Sequence, residues 1–105
     1  MKVYQMKNDN GNAWANQFII EKHGQIVLQS YQSLVVLIDY NFERLGFGVD
    51  YDYSNTTSRA VSKFLRDELG VNWKADYKRK ALENGKATIF GKTWEVLRAT
   101  EKDFQ

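Results

Sequence analysis

Tyr51-Asp52-Tyr53-Ser54-Asn55-Thr56-Thr57-Ser58 runs directly into Arg59-Ala60-Val61-Ser62-Lys63-Phe64-Leu65. Ser54, Asn55, Thr56 and Thr57 are all cap-type residues, because each side-chain oxygen can accept a hydrogen bond from a free first-turn N–H. Val61, Phe64, Leu65 and Leu69 follow at i, i+3, i+4 and i+8, which is one apolar stripe of a helix. Gly70 supplies a stop. The stretch predicts a loop feeding an amphipathic helix over residues 57–69, and it divides the chain into a strand-rich part before it and a mixed part after it.

Working towards the N-terminus, residues 44–49 alternate around Gly46 and Gly48, which predicts an irregular edge or hairpin strand with a bulge or a close backbone approach. Leu34, Val35, Val36, Leu37 and Ile38 are five consecutive β-prone apolar residues, the pattern of a central strand covered on both sides. Residues 14–21 and 25–29 read as a hairpin turned at Lys22-His23-Gly24, and residues 1–7 as a short strand before the loop Asn8-Asp9-Asn10-Gly11-Asn12. Towards the C-terminus, Trp73, Tyr77 and Ala81 at fourfold spacing predict a second helix over residues 73–84, ended by Asn84-Gly85. Segments 87–90 and 93–97 flank Gly91-Lys92 as a closing hairpin. The expected fold class is α+β, an antiparallel sheet with two helices packed on one face, in a single domain spanning residues 1–105.

Composition narrows the function classes. The chain is 43% hydrophobic, 27% charged and 14% aromatic, the range of an ordinary globular domain. Cysteine is absent, which removes disulfides and thiolate chemistry. His23 is the only histidine; one imidazole fills no zinc site, and as a general base it lacks a neighbouring nucleophile. No metal, no cofactor and no catalytic residue is therefore expected, and the chain reads as a non-enzyme. No apolar run approaches the 18 residues of a membrane span and no signal-peptide pattern opens the chain, so no membrane partner and a cytoplasmic location are expected. The net charge of +2 is unevenly spread: residues 1–57 carry −2 and residues 58–105 carry +4.

Two surfaces are candidates for contact. Asp50, Tyr51, Asp52 and Tyr53 join two carboxylates to two tyrosines that would share one face of an extended backbone. Such a segment suits protein binding, with rings as anchors and acids steering a basic partner. The competing structural reading is a pair of rings stapling the helix entrance beside solvated loop acids. Asp50 and Asp52 lack the Asp-x-Asp-x-Asp-Gly pattern of a calcium loop. Lys74, Lys78, Arg79, Lys80 and Lys86 crowd the second helix beside Trp73 and Tyr77, an arrangement that could hold phosphates and stack bases. Its competing reading is the solvated back of an amphipathic helix. Gly46-Phe47-Gly48 is a lone Gly-x-Gly and no phosphate loop.

Gln29-Ser30-Tyr31-Gln32-Ser33-Leu34-Val35-Val36 and Asp52-Tyr53-Ser54-Asn55-Thr56-Thr57-Ser58, with Phe64-Leu65 after it, resemble motifs of a small uncharacterised family from phages and plasmids of Gram-positive bacteria. The likeness spans roughly residues 18–66. It departs at Val36, where Ala is usual, at Ala60-Val61, where an aromatic is usual, and at Asp50-Tyr51, where Trp precedes Asp-Tyr-Ser. No functional residue transfers, because the family has no assigned activity. The resemblance implies a mobile genetic element in a bacterial host cell. In that setting the expected function is to bind and block a host protein, as an anti-CRISPR inhibitor of a CRISPR effector nuclease does. The alternative expectation is a small nucleic-acid-binding accessory protein that uses the basic helix.

Overall fold

Five strands precede the first helix. In the computed structural model, which describes residues 1–104, they are β1 (Lys2–Lys7), β2 (Ala13–Lys22), β3 (Gln25–Ser30), β4 (Ser33–Asp39) and β5 (Arg44–Phe47). Helices α1 (Asn55–Leu69) and α2 (Ala75–Asn84) follow, then strands β6 (Lys86–Ile89) and β7 (Lys92–Arg98). All seven strands form one sheet in the order β1-β2-β3-β4-β5-β7-β6. Neighbours pair antiparallel except β5 and β7, which run parallel with Arg44 opposite Glu95 and Phe47 opposite Arg98. No helix among the described residues is long and apolar enough to cross a membrane.

The run of five apolar residues is the middle strand of the sheet, and its alternation shows why both faces need covering. Val36 and Ile38 join a large core with Leu28, Phe47 and the α1 stripe Val61, Phe64, Leu65 and Leu69; Ala81 of α2 belongs to the same core. Leu37 points the other way and packs with Val27, Ala99 and Phe104. A register shift after Leu28 places Gln29 opposite Leu34, so Val35 bulges into the large core while Leu34 packs against the smaller cluster. The segment after β7 folds over this second face. Thr100 N–H and Oγ1 both donate to Asp103 Oδ2, at 2.7 and 3.0 Å, and Lys22 Nζ donates to the Phe104 carbonyl at 2.6 Å.

Two expectations for the elements need correction. Segment 44–49 forms a hairpin strand but not an edge: β5 pairs antiparallel with β4 and lies inside the sheet between β4 and β7. Its glycines do mark close approaches. A Cβ on Gly48 would sit 2.2 Å from the Leu34 carbonyl oxygen, and one on Gly46 would sit 2.9 Å from Ala99 Cβ. The second helix begins at Ala75, so Trp73 precedes it, and its buried residues are Lys78 and Ala81. Tyr77 is 49% exposed and leans on Trp73 with ring centroids 4.9 Å apart.

Candidate functional site

The entrance to α1 is built by hydroxyls. Ser54 is the N-cap, with extended backbone, and its Oγ accepts from Thr57 N–H at 3.1 Å. Ser54 Oγ in turn lies 3.2 Å from Thr57 Oγ1, which is 2.9 Å from Ser30 Oγ in a buried contact. One helix cap is thereby tied to the end of β3. Beneath it Gln17, fully buried and paired in register with Ser30, has no hydrogen-bond partner for either amide atom among the described residues.

The loop before the cap is fixed from below. Gly48 N–H donates to the Val35 carbonyl at 2.8 Å, Tyr51 N–H to the Gly48 carbonyl at 3.1 Å and Tyr53 N–H to the Asp50 carbonyl at 3.1 Å. These are turns and not extended backbone, so Tyr51 and Tyr53 do not share a face. Tyr51 is 6% exposed, with its ring 5.0 Å from that of Phe47 and the Arg98 guanidinium 5.5 Å above it. Burial, reinforced by the nearby Asp52 charge, pushes its phenol upward. Tyr53 is 79% exposed. The expected pair of surface anchors is thus one core plug and one free ring.

A second ring takes the place of the lost one. Tyr31 sits in the two-residue turn between β3 and β4 with φ +56, and its N–H donates to the carbonyl of Asn16, itself at φ +66 in a β2 bulge. Left-handed backbone suits Asn but strains a bulky residue by about 1–2 kcal/mol, and strain of this kind gathers at functional sites. Tyr31 is 48% exposed. Tyr31 and Gln32 from that turn and Ser33 at the start of β4 line a groove of about 550 Å³ with Asn16 and Ser30, facing Asp50, Tyr53 and Thr57 from the loop and α1. Ser33 Oγ donates to Asp50 Oδ2 at 2.8 Å across it. Asp52 is exposed and lies outside the lining, and neither Asp50 nor Asp52 is in an ion pair among the described residues.

A family model described as a family of unknown function (DUF8033) matches residues 1–84. The chain belongs to that family. The DUF8033 match takes in β1 to β5 and both helices, and with them every residue of the groove; β6, β7 and the closing segment lie beyond it. No curated protein and no solved structure matches the chain.

Of the basic residues on and after α2, Lys74, Arg79, Lys80 and Lys86 are exposed, but Lys78 is only 3% exposed. Lys78 Nζ donates to Ser62 Oγ at 2.6 Å and reaches the Ser58 carbonyl at 3.5 Å, bridging the two helices. Burial pulls its ammonium below the ordinary lysine range. Lys78 is therefore withheld from any phosphate, contrary to the expected solvated basic face, and Arg79 makes an exposed bridge to Asp76 at 3.0 Å. His23 is exposed in its turn, and no cluster of three His, Cys, Asp or Glu that could hold a metal occurs among the described residues.

Sequence reasoning found Asp50 and Tyr53 but missed Tyr31, Gln32 and Ser33. A signal was present: the two motifs that carry the family resemblance, Gln29 to Val36 and Asp52 to Ser58, supply Ser30 to Ser33 on one side of the groove and Tyr53 and Thr57 on the other. Their separation along the chain hides that they meet.

Proposed function

We propose that this DUF8033 protein is a non-enzymatic protein-binding module whose contact surface is the groove between the β3–β4 turn and the α1 entrance. The observation that carries the reading is Tyr53, 79% exposed, set in the same groove as Tyr31 beside a carboxylate that no ion pair neutralises. Exposed tyrosines on fixed backbone give contact area at low entropic cost, and unpaired carboxylates favour a basic partner. The finer reading is a mobile-element protein that blocks a host nucleic-acid-gripping enzyme such as a CRISPR effector nuclease. It rests on the family resemblance and on the match between an acidic, aromatic surface and a basic groove.

The test is capture from bacterial host lysate with the parent chain and with the double variant Asp50→Lys, Asp52→Lys, partners being read by mass spectrometry. A partner retained by the parent and lost by the variant, with circular dichroism unchanged, is the expected result. Equal retention by both would overturn the placement of the contact.

A further inference from the structure

The groove joins two aromatic faces to uncompensated negative charge. Its lining holds Tyr31, Tyr53 and Asp50 with neutral amides and hydroxyls, and no cation is among the lining residues. Arg98, which lines the neighbouring cavity, lies over the buried ring of Tyr51. Ser33 occupies one lone pair of Asp50 Oδ2, which leaves Oδ1 free to accept. Aromatic faces attract a cation through their quadrupole, and a carboxylate adds a charge-assisted hydrogen bond.

On the other side of Gln32, Ser33 and Asp50 a second cavity of about 660 Å³ opens, with Leu34, Val49, Ala99 and Phe104 as its apolar part. The two cavities meet at the Ser33–Asp50 hydrogen bond. A chain laid across that bond therefore meets a π-rich, negative recess on one side and an apolar recess on the other.

We infer that the groove receives a lysine or arginine side chain from an extended segment of the partner, and that an apolar residue beside it enters the Leu34–Phe104 cavity. This rests on the protein-binding reading above and specifies what the partner presents. Two features make Asp50 the selective element. Its hydrogen bond to Ser33 fixes the carboxylate, and it belongs to the lining of both cavities.

The test is an NMR titration of the full chain with the peptide acetyl-Gly-Arg-Leu-Gly-amide, against the neutral control acetyl-Gly-Gln-Leu-Gly-amide. Saturable shifts confined to residues around Tyr31, Ser33, Asp50 and Tyr53 are expected, with the control at least about fivefold weaker. Asp50→Asn keeps an acceptor for Ser33 and should weaken the arginine peptide to the level of the control, and Tyr53→Leu alters an exposed ring and should weaken it without unfolding. Shifts of equal strength with the glutamine peptide, shifts mapping to another surface, or no saturable shift at all would each overturn the inference. Partner capture that depends on Asp50 and Asp52 alongside a flat peptide titration would sink this inference alone and leave the protein-binding reading standing. A charge-insensitive capture would remove both.

Discussion

The α1 entrance and the α2 surface look equally promising as charge patterns, yet the fold treats them in opposite ways. On α2 the central lysine is buried as a helix–helix bridge and Arg79 has an acidic neighbour, Asp76, at the surface. At the α1 entrance the fold buries one tyrosine, supplies another from a distant turn, and leaves Asp50 and Asp52 outside any ion pair among the described residues. The contrast teaches that availability is decided by neighbours and not by spacing. A charge counted in sequence is a contact only if nothing in the fold has already used it.

Both regions depend on α1, so the severest perturbation should not tell them apart. Phe64 is fully buried in the main core, and Phe64→Ala should cost about 3–5 kcal/mol through the cavity it leaves. Urea unfolding checks this; an undiminished midpoint would mean that α1 does not anchor either surface. Gly48→Ala is more selective. Its Cβ would press on the Leu34 backbone, and relief should cost about 1–3 kcal/mol. The expected readout is loss of the Ser33–Asp50 geometry in NMR spectra while α2 signals stay in place, and uniform shifts over both regions would break the comparison.

How far the sequence carried each region follows from the range of the interactions involved. The β4 span of Ser33–Asp39 and the α1 stripe are local patterns, and both appear as read. The parallel pairing of β5 with β7 joins segments about 50 residues apart, and no periodicity within either strand encodes it. Tyr51 and Tyr53 were separable only once the turn hydrogen bonds at Gly48 and Asp50 were known, since an extended chain would have put both rings on one face. Tyr31 escaped notice because its turn lies between two good strands, where a bulky left-handed residue is against expectation. Lys78 was expected on the exposed basic face and Tyr77 inward, but Lys78 turns in: its aliphatic stem supplies the packing, and two oxygens of α1 take the ammonium.

The buried lysine gives the comparison a pH signature. Its folded pKa lies below the ordinary 10.5. Between the two values the unfolded chain holds a proton that the folded chain lacks, so stability rises with pH across that window. Relative to Lys78→Met, the parent should gain stability as pH climbs towards the ordinary lysine value of 10.5, and because both chains carry the same tyrosines their ionisation cancels in the comparison. Tyr40, pushed up to about 12 chiefly by burial and then by the Glu68 charge, works in the opposite sense: its contribution is lost above about pH 10. Parallel stability curves for parent and Lys78→Met would show that the ammonium is solvated after all. The smallest effect is expected from Lys74→Glu, Lys80→Glu and Lys86→Glu together, within about 0.5 kcal/mol of the parent because all three are exposed.

Calorimetric titration of the captured partner against two charge-reversed chains tests the contrast between the surfaces most directly. Asp50→Lys with Asp52→Lys should weaken binding at least about 30-fold, equivalent to about 2 kcal/mol, since attraction is lost as repulsion is added. The Lys74, Lys80 and Lys86 triple reversal should leave the affinity within about twofold of the parent. A partner that tolerates the first chain and rejects the second would contradict the account and place the contact on α2.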